Sequence, residues 1–381
     1  MCMQSLCLRA TEGRRLKVKK LFYILIITVT VCFLFGCRKK NTDTELGGIT
    51  EYPTVSPPAT VQPTTEALPE AEDTHEGEMR SYLSGLWVPV EEGTSRPYAF
   101  QFNNFKIVSN QWGIGQADIV YECIVEGGIT RLLGIGEHYT GDRLGSTRSA
   151  RHYFVSIADE YDAIYIHYGA TKYARSKVKE LGIDEMDGNA GSGAVVFYRD
   201  KNINAPHNAF ASLEGIQKGI EKNGFETKYP QNYEPHFKFY EEDTDLVSGS
   251  DANNIKLDFS SYINAGLEYN SAQKLYYRSQ FGAKHVDSLT GEQLSFKNII
   301  VQFVKEWNID KKGYQTMDLE NAGGSGFYIT NGKGIPITWK KKEADSWMRY
   351  YDAAGEELII NPGKTYITLF PDNRTKDVVI R

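Results

Sequence analysis

Hydrophobic positions change their spacing several times along this chain. YAFQFNN (98–104) alternates apolar and polar residues and reads as a strand. IVYECIVEGGITRLLGIGE (119–137) has two apolar runs flanking Gly127-Gly128, the pattern of a hairpin with the glycines at its tip. Thr147–Tyr161 places Ala150, Phe154, Ile157, Ala158 and Tyr161 on one helical face, with Ser146 and Thr147 as candidate N-caps. DAIYIHYG (162–169) reads as a buried strand, Tyr173–Leu181 as a second helix and AVVFYRD (194–200) as a further strand. Asn208–Asn223 reads as a third helix stopped by Gly224. Strands interleaved with helices predict a mixed α/β domain over 83–230. From about Tyr233 the pattern shortens to IKLDFSSY, LEYNSAQKLYYRSQ, NIIVQFVKEW, GSGFYIT, GIPITWKK and TYITLF, separated by Gly, Asn and Asp. Such runs predict a mainly β domain over 231–381. The expected fold class is therefore α+β.

Before residue 83 the pattern is different. Basic residues from Arg14 to Lys20 precede a 15-residue apolar run, Leu21–Phe35, which ends in Leu34-Phe35-Gly36-Cys37. A spanning helix needs about 20 apolar residues. The shorter run suits the core of an export signal, and LFGC resembles a lipobox. The expectation is a lipoprotein signal peptide over 1–36, lipidation of Cys37, and anchorage at the outer face of the cytoplasmic membrane. Residues 37–82 hold Pro53, Pro57, Pro58, Pro63 and Pro69 with little apolar periodicity, and read as a disordered linker. Of five cysteines, Cys2, Cys7 and Cys32 would leave with the signal and Cys37 would carry lipid. Cys123 alone would remain, so no intrachain disulfide is expected.

Charge narrows the partners. The chain carries −6 overall, and residues 1–37 contribute +5, from six basic residues and Glu12, so the rest carries −11. An acidic body argues against nucleic-acid binding. No HExxH, paired CxxC, phosphate loop or dinucleotide fingerprint occurs, so neither metal nor cofactor is expected.

The candidate chemistry gathers around STRSARH. Arg148 and Arg151 fall in what reads as a helix first turn, where the macrodipole disfavours cations by about 0.3–1 kcal/mol. An anionic counterpart is therefore expected, either an internal carboxylate or a ligand. Asp118, Glu122 and Glu126 are spaced by four and read as one acidic face. A two-residue turn would set Glu126 diagonally from Arg131 as a cross-strand ion pair. His167 lies near the carboxyl end of a buried strand, where α/β sheets place ligands. His207 is a candidate ligand or acid–base group, and Asn208 a candidate N-cap. Two functions follow. One is an Arg/Glu-lined cleft that binds an anionic cell-envelope component, such as a wall polymer, or docks a cell-wall synthesis protein. The other is a peptidoglycan-acting enzyme using Glu122 or Glu126 with His167 or His207.

Several stretches match a known family in order: RPYAFQFNNFKIVSNQWGIGQADIVYECIVEGGITRLL, STRSAR, DAIYIHYG and APHNAF, then LYYRSQFGAKHVDSLTGEQLSFKNIIVQF, GSGFYITNGKGIPITWKK and INPGKTYITLF. Over roughly 96–375 the chain resembles the YerB-like bacterial lipoproteins, built of the domain of unknown function 3048. It departs from their pattern at Gly145-Ser146-Thr147, where Gly-Pro is more usual. The resemblance implies a cell-surface lipoprotein with an α/β part followed by a β part. It implies no particular reaction.

Overall fold

A computed structural model describes residues 75–108, 110–343 and 346–381. The signal peptide, Cys37 and the linker up to residue 74 lie outside the described residues. Among those described, a short strand already forms at Glu78–Arg80, within the stretch read as linker, and pairs with Trp87–Pro89. No described helix is long and apolar enough to cross a membrane.

The first half contributes β1 (Tyr98–Asn103), β2 (Ile119–Ile124), β3 (Thr130–Gly136), α1 (His152–Glu160), β4 (Ile164–His167), α2 (Lys172–Leu181), β5 (Glu185–Asp187) and α3 (Leu213–Asn223). The second half is mainly β, with β6 (Asn254–Asp258), β7 (Asn264–Asn270), β8 (Leu275–Gln280), β9 (Asn298–Val304), β10 (Ala322–Thr330), β11 (Lys333–Lys341), β12 (Thr365–Pro371) and β13 (Val378–Ile380). The fold class is α+β, as the hydrophobic spacing predicts.

One mixed sheet runs through both halves, in the order β11-β10-β9-β12-β2-β3-β1-β4-β5. The join is the parallel pairing of β12 with β2, Thr365 opposite Ile119 and Leu369 opposite Cys123. A second sheet, β8-β7-β6-β13 with two short flanking strands, covers part of one face. Strand alternation sorts the core between the two faces. Ile119, Tyr121 and Cys123 of β2 pack with Phe154 and Ile157 of α1 and with Tyr161 just past its end. Val120 and Ile124 pack with Ile255, Leu257 and Tyr276 of the second sheet.

Four local expectations change. Helix α1 starts at His152, five residues later than the spacing predicts, and Arg151 occupies its N-cap without a capping side chain. Residues 147–150 instead run extended across the ends of β1 and β4: Arg148 N donates to Gln101 O at 2.9 Å and Tyr168 N to Arg148 O at 3.0 Å. Backbone partners on both sides outcompete a helical turn there. The hairpin loop is longer than two residues: Val125 N donates to Ile129 O at 2.8 Å across the turn 126–128, in which Gly127 and Gly128 both take positive φ. Its closing pairs are Ile124 with Thr130 and Cys123 with Arg131. Only Phe197–Arg199 of AVVFYRD is strand, since 193–196 form a helical turn. Asn208 caps nothing: the N-cap of α3 is Ser212, whose side chain accepts from Gly215 N.

Candidate functional site

The carboxyl ends of β1, β4 and β5 lie at one end of the main sheet, where open α/β sheets carry their ligand crevices. The extended segment 147–151 crosses this end and delivers two guanidinium groups, those of Arg148 and Arg151, while β3 brings a third, that of Arg131. Arg151 is 7% exposed. Its Nε lies 2.8 and 2.9 Å from the Glu126 carboxylate oxygens, and Nη2 completes a forked ion pair. Burial pushes the Glu126 carboxyl up, but the Arg151 contacts outweigh it and hold the group below its usual range. Arg131, on β3, points to the same corner and donates to Ser149 O. Burial first, then the charges of Arg151 and Arg148, pull Arg131 down to about 9.

Arg148 is the most exposed of these three arginines. It is half-buried, donates to Pro206 O at 3.1 Å, and among the described residues has no carboxylate in ion-pair range. Burial, then Arg151 and Arg199, lower its pKa. Arg199 joins this corner from the strand Phe197–Arg199, lies over the Tyr168 ring and donates to Asn208 Oδ1 at 2.7 Å. A cleft of about 460 Å³ opens beside it, lined by Tyr168, Phe197, Tyr198, Arg199 and the glycine-rich loop 188–193. His207 stacks on Phe105 at 5.0 Å and accepts from Asn103 Nδ2 at 2.9 Å through Nδ1. Burial and the Arg148 charge hold its pKa below the usual value. The corner thus holds three close guanidinium groups and one carboxylate, with Arg199 and His207 at the rim.

The structure brings Glu126, Arg131, Arg148, Arg151, His207 and Asn208 to this end. It does not bring Asp118 or Glu122. Four residues of strand span about 13 Å, so acids spaced by four separate rather than converge. Asp118 sits at the opposite end of β2, where its carboxyl accepts from Glu137 N. Glu122 faces the second sheet and is fully buried. Its carboxylate takes Arg278 Nη2 and Tyr366 OH at 2.5 Å each, and Thr130 Oγ1 at 2.6 Å. The expected Glu126–Arg131 pair is replaced by Glu126–Arg151, because the longer turn carries Glu126 toward the start of α1. His167 lies just beneath the corner with no exposed surface, its Nε2 2.8 Å from Glu185 Oε2 and Nδ1 2.9 Å from Gly169 O. None of the nine candidate residues reaches the cavity of about 630 Å³ that Arg80, Lys297, Lys364 and Phe296 help to line, or the open groove of about 1180 Å³ along the second sheet.

Arg199, Tyr168 and the loop 188–193 carry no motif that marks them in the sequence as part of the site. Their signal is no more than the run GNAGSG directly after EMD, glycine punctuation following the short strand β5.

Residues 83–226 match the domain described as "Protein of unknown function (DUF3048) N-terminal domain", and residues 255–367 match its C-terminal counterpart. The chain is 30% identical over 298 residues to a protein named "Putative lipoprotein YerB" of Bacillus subtilis (strain 168), covering 77% of this chain and 87% of the relative. This chain belongs to the DUF3048 family. The crystal structure of the YerB protein from Bacillus subtilis superposes with a TM-score of 0.70 at 29% identity, covering 80% of this chain and 99% of that one. Within the DUF3048 frame, the arginine corner lies wholly in the N-terminal family domain. The Glu122–Arg278 pair instead ties the N-terminal domain to the C-terminal one.

Proposed function

We propose that this protein is a lipid-anchored envelope protein, tethered through Cys37, that binds an anionic cell-envelope component at the Arg148 corner. The observation that carries the reading is the charge balance of a half-buried corner. Arg131, Arg148 and Arg151 crowd one carboxylate, Glu126, which Arg151 already occupies. Like charges held together at the end of a sheet favour an incoming anion. In this reading the exposure of the groups supports different roles. Arg151 and Glu126 brace the start of α1, Arg131 backs them, and Arg148 faces the ligand with Arg199 beside the cleft. The enzymatic alternative has less support, because Glu122 is paired beneath the second sheet and Glu126 with Arg151.

Cosedimentation of the purified body with cell-wall sacculi tests this. Arg148→Ala should weaken binding at least tenfold while the unfolding midpoint stays unchanged, and added salt should weaken the wild type likewise. Wild-type binding by Arg148→Ala would exclude the corner as the site.

A further inference from the structure

The arginine corner continues into a row of aromatic side chains. Phe105, in the loop after β1, stacks on His207 at 5.0 Å and 18°. Phe105 also meets Tyr262 at 5.9 Å, and Tyr262 meets Phe281 at 6.4 Å. Tyr262 is 42% exposed, and Ile107, two residues after Phe105 in the chain, is 70% exposed. Tyr262 belongs to the loop between β6 and β7, and Ser260 of that loop donates to Gly128 O at 2.6 Å. The row therefore runs from the Arg148 side of the first half onto the second. Partly exposed aromatic surface of this kind, beside a cation with no carboxylate partner among the described residues, suits an interaction site better than a core edge.

Resting on the anion-binding reading above, we propose that this row is a stacking platform for a glycan strand bearing carboxylate-ended peptide stems, with Arg148 receiving one of those carboxylates at one end. Pyranose rings present flat C–H faces to aromatic side chains, and a guanidinium pairs with a carboxylate through two parallel hydrogen bonds. A polyol-phosphate chain has no rings to lay along the row. Single-stranded nucleic acid also stacks on aromatic rings. The −11 carried by residues 38–381 repels its repeating phosphates far more than it repels sparse carboxylates.

The experiment is cosedimentation with sacculi whose phosphate-bearing wall polymers have been extracted with hydrofluoric acid. The variants are Tyr262→Ala, Phe105→Ala and Arg148→Ala, each checked for an unchanged urea midpoint. Tyr262→Ala and Phe105→Ala should each weaken binding about tenfold, and a single-stranded oligo-dT should not compete. Full binding by both aromatic variants with loss in Arg148→Ala would overturn the platform while leaving the anion site standing. Full binding by all three would overturn both. Loss of wild-type binding on extraction would overturn the carboxylate assignment in favour of a phosphate polymer, and competition by oligo-dT would overturn the glycan.

Discussion

Glu122 and Arg278 face each other between the two sheets, at 0% and 1% exposure. Burial alone would pull the Arg278 guanidinium down, but the Glu122 carboxylate outweighs it and holds its pKa above the usual value. Around them Gln280, His285 and Gln111 extend the network, His285 accepting from Arg278 and facing Gln111 through Nε2. Removing one member of a buried pair strands the other charge at a cost of about 3–5 kcal/mol. Glu122→Gln should lower the stability seen in urea unfolding by that amount. An apolar pair such as Glu122→Met with Arg278→Leu should restore much of it. A change under about 1 kcal/mol for Glu122→Gln would show that the pair is not the clasp it is taken for. Nothing in the run IVYECIV announces this role. The spacing marks Glu122 as one polar residue in a buried strand, while its partner lies 156 positions away.

Helix starts show what local sequence does and does not decide. Helix α2 begins within one residue of where the pattern places it, because Thr171 accepts from Ala174 N at 3.1 Å and Gly182 closes the other end in the left-handed region. Thr171→Ala should lower stability by about 1 kcal/mol, read from the urea midpoint. No measurable change would mean the cap is replaced by solvent. Helix α1 looks equally clear in sequence and is misplaced by five residues at its start. Ser146 and Thr147 have the chemistry of caps, but Ser146 O accepts from Asn103 N and Thr147 N donates to Ala209 O. Those partners come from distant strands. The two arginines therefore do not oppose the first turn of α1 as expected. Arg151 stands at its N-cap with Glu126 across from it, a neutralising anion where the dipole favours one.

At the scale of the whole molecule, stability should depend on pH through two buried acids at the far end of the sheet from the arginines. Burial pushes Asp118 up to about 6 and Glu137 up to about 8. Glu137 accepts from Ser81 Oγ at 2.7 Å, so it ties the entering chain to β3. A carboxyl raised in the folded state keeps a proton that the unfolded chain has released, so its contribution is present at low pH and lost as pH rises through the folded value. Histidines oppose this below their ordinary value: burial lowers His152 to about 4 and takes His236 and His285 down as well. Between the ordinary histidine value of 6.5 and the Glu137 value of about 8, Glu137 dominates. The urea midpoint should therefore fall over that interval, and Glu137→Gln should flatten the fall. A midpoint that rises there in the wild type would contradict the assignment.

Hydrophobic period and turn residues alone sufficed for the α+β class, the helix-bearing first half, the β second half and most strands, because they are local properties that each segment carries with it. The same local reading picked out Arg148, Arg151, Arg131 and Glu126, which do meet. Tertiary structure decided which charge answers which. Acids spaced by four along an extended strand are carried apart by its rise, so Asp118, Glu122 and Glu126 ended at three separate places. The parallel pairing of β12 with β2 made one sheet of two halves that look separable along the chain. It is also tertiary structure that turned STRSAR from a helix start into an extended strap, since backbone groups bond to whatever donors and acceptors the fold brings near, and here those belong to distant strands.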